Sequence, residues 1–372
     1  MTEVALVDVK DGDILAGVIR AIDLIGGLGR FVRRGDLVVV KPNLFVSAPP
    51  ETGRITHPEV ILAIAKLCHG LGARVVIGER TRNVFLNLRN YPDIWDYADV
   101  ISFDDTPLKL KQIPGAKAFY MSIVIPRIVD ECDVFINVPG LRTHALSDIS
   151  NGLKNLMGIL PGDTTRFVHH LGLSDCIVDL NVGRPSDLTI SDAIYTLHGN
   201  FPVGGKALKT NLLLASDNIV AIDATAARFL GFEPSDVEHL REASARGLGP
   251  ISRDEIRLLG PNLDEFKFTF SRAEHGYEKY RKLLSFVDPA VCKNCRQAFA
   301  SGLVAAVEEV GEERVKGIRV VLGPIEKPPS FPKERVLLYG SCTRRFKEHG
   351  LFISGCPPLA SQAKEAILTI SS

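Results

Sequence analysis

Short β-rich runs separated by amphipathic helical patterns recur along the whole chain. That alternation limits the open folds more than any other feature. VALVDV is a predicted strand, followed by the helical ILAGVIRAIDLIGGLG. DLVVVKPNLF reads as a buried strand. THPEVILAIAKLCHGLG reads as a helix with Thr56 near its N-cap and Gly72 near its end. ARVVIGER, VISFDD and DVFINVPG are further strands, and DLTISDAIYTL through NLLLASDNIVAIDATAARFLGF again alternates strand, turn and helix. Strands joined through helices pair in parallel, so the predicted fold class is α/β, with largely parallel sheets covered by helices.

After Phe286 the pattern starts afresh. QAFASGLVAAVEEVGEE, TRRFKEHG and LASQAKEAILTI are helical, GIRVVLG, RVLLYG and LFISG are strands, and the proline-rich GPIEKPPSFPKER is an exposed connection. The expected division is a core domain over residues 1–285 with a polar pocket, and a smaller C-terminal α/β unit over residues 286–372 that carries four cysteines.

Cys292 and Cys295 form a C-x-x-C just before a predicted helix. Cys342 and Cys356 each follow a predicted strand, in YGSC and GCPP. In parallel α/β sheets the strand C-termini point to one edge, where ligands bind, and a helix N-terminus there favours thiolate charge. The fold thus has a reason to gather four distant thiols, which suit a 4Fe–4S cluster or, as the alternative, a zinc ion. Glycine and proline loops with backbone N–H groups to offer sulfides favour the cluster, and Lys293, Arg344 and Arg345 would offset its charge or simply form a solvated basic surface. Cys68, Cys132 and Cys176 sit in apolar runs and read as core.

Composition narrows the class further. Lys plus Arg and Asp plus Glu both number 44, so no net charge points to nucleic acid or an anionic membrane. Seven cysteines in 372 residues do not make a secreted disulfide framework. MTEVALVDVKDGD has no signal-peptide pattern, and no run approaches the roughly 20 apolar residues of a membrane span. A reducing cytoplasm is expected. No P-loop, G-x-G-x-x-G, nucleophile elbow or H-E-x-x-H occurs.

Polar residues collect past the strands of the first part. Lys41 and Asn43 follow VVV, and Asn137 is followed by Arg142, Thr143, His144, Asn151, Lys154 and Asn155. Asn151, Lys154 and Asn155 are spaced to share one helix face, which suits an anionic ligand such as a carboxylate or phosphate; caps and turns are the alternative use of such amides. His57, before Pro58 at a helix start, fits capping and catalysis equally. His144 fits general acid–base chemistry near neutral pH or a structural hydrogen bond. The adjacent His169 and His170 would not point together on a helix. Asp192 precedes a glycine-rich loop. Asp217 reads as an N-cap, and Asp223, a turn later, would face the site or complement the helix dipole.

VVVKPNLF, THPEVI, GARVVIGE, CDVFINVPGLRTH, GLKNLMGIL and SDNIVAIDATAARFLGF, in that order, resemble the proteins of domain of unknown function 362, over about residues 36–232. The resemblance implies an iron–sulfur-binding, redox-related cytoplasmic protein without an agreed reaction, often with a ferredoxin-type module. The tandem cysteines of that module are absent here. Carried over by motif, the implied site residues are Lys41, Asn43, His57, His144, Lys154, Asn155, Asp192 and Asp223. YGSC and GCPP also look like cluster-ligand loops of quinone-oxidoreductase and hydrogenase small subunits.

The resulting expectation is a protein with one 4Fe–4S cluster on Cys292, Cys295, Cys342 and Cys356 that acts on or senses a small anionic molecule. Lys154 and His144 would be catalytic, with Lys41, Asn43, His57, Asn155, Asp192 and Asp223 binding. An electron-transfer partner and a homodimer are the expected associations, with no nucleic acid and no membrane. Whether it is an enzyme is open; an iron–sulfur oxidoreductase is the reaction class implied. The rivals are a zinc-stapled, non-redox anion-binding protein and a lyase using iron as a Lewis acid. The lyase requires an open metal position that four cysteines would fill.

Overall fold

The computed structural model describes residues 1–372 except 10–11, 120, 163, 165–167, 169–171, 202–203, 274–279, 281–282, 288–290, 292 and 372. Cys292 and the His169–His170 pair therefore lie outside the described residues. Two compact units emerge. The first comprises Met1–Arg142, Ile149–Leu197 and Lys206–Phe270; the second comprises Thr143–Asp148, His198–Gly205 and Ser271–Ser372.

The strands of the first part are β1 (Thr2–Asp8), β2 (Leu37–Pro42), β3 (Arg74–Glu79), β4 (Asp99–Ser102), β5 (Leu108–Gln112), β6 (Ser122–Pro126), β7 (Val134–Val138), β8 (Gly140–His144), β9 (Asp148–Ser150), β10 (Leu188–His198), β11 (Lys206–Ser216) and β12 (Ile256–Leu259). The main sheet runs β12-β1-β11-β10-β7-β2-β3-β4, with β8 attached to β10 and β9 to β8. Pairings β2/β3, β3/β4, β2/β7, β7/β10, β8/β10 and β1/β12 are parallel, and β1/β11 is antiparallel. β5 and β6 form a separate antiparallel ribbon.

The largely parallel character follows from the sequence. VVV of β2 and all of β7 are buried without alternation, as strands covered on both faces must be. The helix Pro58–Gly70 buries Val60, Ile61, Ile64, Ala65 and Cys68 in the same core as Val38, Val40, Val75 and Ile77. Each fully buried aliphatic side chain there contributes about 1.5–3 kcal/mol. Its N-cap is His57, whose Nδ1 accepts the Glu59 N–H at 3.3 Å, and not Thr56. Thr56 is instead a clamp between strand ends: its hydroxyl accepts from the Asn43 N–H (2.8 Å) and donates to the Val138 carbonyl (2.7 Å). Likewise Asn218, not Asp217, caps the helix Ile219–Phe229, and Asp217 pairs with Arg30.

Register positions the polar residues. Lys41 lies opposite Asn137, Asn137 opposite Thr189, and Gly140 opposite Asp192. The segments leaving β2 and β7 therefore emerge level with one another, at the strand C-termini where ligand crevices form.

The second unit carries β13 (Ser285–Val287), β14 (Arg319–Leu322), β15 (Val336–Tyr339) and β16 (Leu351–Ile353), all parallel and in that order. The helices Lys293–Val310 and Ala360–Ser371 cover one face, burying Phe299, Leu303, Ala363 and Ile367 with Leu337 and Tyr339. The Phe299 ring meets Tyr339 edge-on at 5.3 Å. Val321, Ile325, Val336 and Leu338 form a second cluster. This unit begins at Ser271, upstream of residue 286, and takes in two short excursions of the earlier chain.

Candidate functional site

Lys41 is completely buried at the end of β2. Its ammonium donates to Glu79 Oε2 (3.0 Å), the Pro42 carbonyl (2.7 Å) and Asn155 Oδ1 (3.3 Å). Burial lowers its pKa, and the Glu79 charge works against that shift. Three acceptors for three hydrogens make this an internal ion pair, with no hydrogen left for an anion. Glu79 in turn accepts the backbone N–H groups of Leu44 (3.1 Å) and Arg80 (2.7 Å). A Cβ at Gly158 would stand 2.6 Å from both Lys41 Nζ and Glu79 Oε1, so only glycine fits over the pair.

Asn155 is the hub beside it. Its Oδ1 also accepts from Asn43 Nδ2 (3.1 Å), and its Nδ2 donates to Asn137 Oδ1 (2.8 Å) and the Lys41 carbonyl (3.2 Å). Arg142, fully buried, reaches Asn43 Oδ1 (3.1 Å) and the Arg54 carbonyl (2.9 Å). Burial pulls its pKa down to about 10, with Asp192 opposing. Asp192 accepts from the backbone N–H of His57 (2.6 Å) and of Ile194 (2.9 Å), while burial pushes its pKa up.

The expected shared face of Asn151, Lys154 and Asn155 does not form, because the α-helix covers only Gly152–Asn155. Asn151 precedes it and turns to Asp223 Oδ1 (2.8 Å) and Ser191 (2.6 Å). Asp223 does not face an open site. It receives the N–H groups of Gly152 (2.8 Å) and Leu153 (3.0 Å), satisfying donors at the start of that turn. Burial pushes its pKa up to about 7 against those bonds.

Lys154 differs from Lys41. It is only half-buried, and burial, followed by the nearby Arg142 charge, pushes its pKa down to about 7. Its amine is thus divided between charged and neutral forms near neutrality. Its charge also helps to depress the buried His239 to about 3, after burial itself. Among the described residues both ring nitrogens of His239 lack a hydrogen-bond partner. Sequence reasoning missed Glu79 and His239. Glu79 carried a signal, since it ends a strand that runs in register beside β2.

His144 belongs to the second unit. Its Nδ1 accepts the Leu146 N–H (3.0 Å), which fixes that nitrogen as an acceptor, and its ring meets Phe201 at 5.7 Å.

In the second unit Cys295 lies in the first turn of Lys293–Val310, Cys342 lies just past β15 and Cys356 just past β16. The strand-end loops are tied together. Ser341 N–H donates to the Gly355 carbonyl (2.7 Å), Gly355 N–H to Ser341 Oγ (3.1 Å) and Tyr339 Oη to the Pro358 carbonyl (2.9 Å). Gly340 has φ +105°. A Cβ built on it would lie 3.5 Å from Cys342 Sγ and 3.6 Å from Cys295 Sγ. Those two sulfurs thus flank one point, with the Gly355 carbonyl 3.8 Å from it. Cys295 is buried; Cys342 and Cys356 are exposed. Among the described residues no three His, Cys, Asp or Glu side chains gather as a metal site. Cys68 and Cys176 are buried, and burial pushes both thiols up to about 12.

Among the described residues no helix is long and apolar enough to cross a membrane. The chain is 28% identical over 254 residues to a thylakoid-associated protein of Synechocystis sp., covering 65% of this chain and 78% of that protein. It also shows similarity to the lactate racemase apoprotein from Thermoanaerobacterium thermosaccharolyticum, with a TM-score of 0.42 and 12% identity. That match covers 64% of this chain and 58% of the racemase chain. The polar network at the strand ends and a family model that matches residues 38–228 fall in the same part of the sequence, and by that match the chain belongs to the family described as domain of unknown function (DUF362).

Proposed function

We propose that the second unit holds a 4Fe–4S cluster on Cys292, Cys295, Cys342 and Cys356, and that the first unit binds a small anionic molecule at Lys154. The observation that carries the first part is the pair of sulfurs, Cys295 and Cys342, that both approach the space over Gly340 within 3.6 Å. A helix start and a strand end deliver them from distant parts of the sequence. The helix N-terminus favours thiolate at Cys295, and the exposed Arg344 and Arg345 lie close in sequence to offset anionic charge. A cluster there would supply one-electron transfer. The hydrogen bonds between Ser341 and Gly355 hold the Cys342 and Cys356 loops at a fixed spacing. Thiols in this role require a reducing compartment, and we assign the protein to the cytoplasm on that ground.

For the second part, Lys154 is the cation of the polar cluster that burial leaves partly open, and the Arg142 charge beside it adds to the pull on an anion.

The test is iron and acid-labile sulfide content, with the visible spectrum, on protein purified without oxygen. About four iron and four sulfide per chain, lost in Cys342→Ser, support the cluster. About one zinc and no sulfide would overturn it in favour of a structural metal.

A further inference from the structure

A cavity of about 340 Å³ lies in the first unit, away from the polar network of Lys41 and Asn155. Its walls come from the end of the helix Ile219–Phe229, the edge strand β12 and the loop after it. We infer that this cavity binds a small organic carboxylate with an apolar body, held by Arg228 and Arg253.

The charge comes first. Arg228 on the helix and Arg253 on the turn before β12 both line the cavity. They are near enough that the Arg253 charge, after burial, lowers the pKa of Arg228, with Glu233 opposing. Among the described residues neither forms an ion pair within salt-bridge distance, and the Arg253 guanidinium makes no hydrogen bond. Two like charges facing one space, without a bound counter-charge, repel each other. An anion between them would remove that repulsion and present a flat acceptor to the guanidinium forks. Asp264 also lines the cavity, so its lining charge is +1 in sum, which one carboxylate neutralises.

The body follows from the apolar part of the lining. Ile256 and Leu258 stand two apart on β12, so both face the same way, and Leu263 adds a third apolar side chain. A bare inorganic ion would leave that wall exposed to water. The volume lies at the lower end of the range of about 300–1,000 Å³ for ligand cavities, the size of a small metabolite.

The cavity is also pre-formed. Arg228 Nη2 is anchored to the Ile251 carbonyl. Asn262 caps the loop, accepting the Asp264 N–H (3.2 Å), while its own N–H donates to Glu265 Oε1 (2.7 Å). A Cβ at Gly260 would meet the Leu6 carbonyl at 2.1 Å, which pins the loop against β1.

Titration calorimetry on the full chain tests this with isocaproate, using inorganic phosphate as a charge-only probe and isoamyl alcohol as an apolar-only probe. Saturable isocaproate binding is expected, weakened about tenfold or more by Arg253→Gln and by Leu258→Asn, and weakened by added salt. Because Arg253 is exposed, Arg253→Gln should keep the wild-type melting temperature, and it keeps the test valid if an Arg228 variant does not fold. Unchanged isocaproate affinity in Arg253→Gln, no saturable binding at millimolar concentration, or phosphate binding as tightly as isocaproate would each overturn the inference.

Discussion

Lys41 Nζ lies 3.0 Å from Glu79 Oε2 with both side chains sealed from water, joining the C-terminal ends of β2 and β3. Neither partner can lose the other cheaply, because a lone charge left in that interior keeps its full desolvation cost. Lys41→Met and Glu79→Gln are each expected to lower stability by about 3–5 kcal/mol in urea denaturation. The double variant should lose clearly less than the two single losses combined. Losses that simply add would show that the two groups do not interact.

Asn155 makes four hydrogen bonds with both ends of its amide, to Lys41, Asn43, Asn137 and the Lys41 carbonyl. Asn155→Leu keeps a similar volume but abandons those partners. Each buried partner left unsatisfied costs about 1–3 kcal/mol. The urea midpoint should therefore fall with an unchanged m-value. A variant within experimental error of wild type would mean that the amide is not the hub of this network.

The fold was legible where one period dominated. The unbroken apolar runs of β2, β3 and β7 identify strands covered on both faces, and the Pro58–Gly70 helix shows its buried stripe in sequence. The site was only partly legible. Lys41, Asn43 and Asn137 stand out because they follow apolar runs at strand ends, and Asn155 because of its helical spacing from Asn151, but their mutual saturation is a matter of register, which spacing does not reveal. Lys41 reads as an open cation until Glu79 of the neighbouring strand is placed beside it. The Asn151–Asn155 face failed because Asp223, far along the chain, draws Asn151 and the turn's N–H groups to itself. His144 looked like part of the same cluster because it follows Arg142 so closely, yet the units divide between Arg142 and Thr143.

Lys154 gives a pH dependence with a definite sign. Burial and Arg142 push its pKa down to about 7 from the ordinary lysine value of 10.5, so the folded chain holds that proton less tightly than the unfolded chain does. Its contribution to stability is complete above 10.5 and is lost as pH falls toward about 7. Urea midpoints of wild type and Lys154→Met should therefore diverge across that window, the wild type gaining more as pH rises. Parallel curves would show an ordinary, fully charged lysine. A bound anion should move the same titration upward, because it favours the charged amine.

Gly340 borders the space that both sulfurs approach, and its backbone conformation disfavours a side chain. At φ +105° and ψ 149°, a region open almost only to glycine, an alanine carries strain of about 1–3 kcal/mol, and its methyl would stand 3.5 Å from Cys342 Sγ and 3.6 Å from Cys295 Sγ. Those contacts are loose enough for the thiols to stay where they are, so the chain should still fold, with a lowered denaturation midpoint. The methyl would nevertheless occupy the point that both sulfurs flank. If that space receives the cluster, Gly340→Ala purified without oxygen should carry clearly less iron and sulfide per chain than wild type. The destabilisation should persist in the metal-free protein, since the strain belongs to the backbone. Full metal content in Gly340→Ala would place the bound group elsewhere and would remove Cys295 and Cys342 as a pair of ligands facing that point.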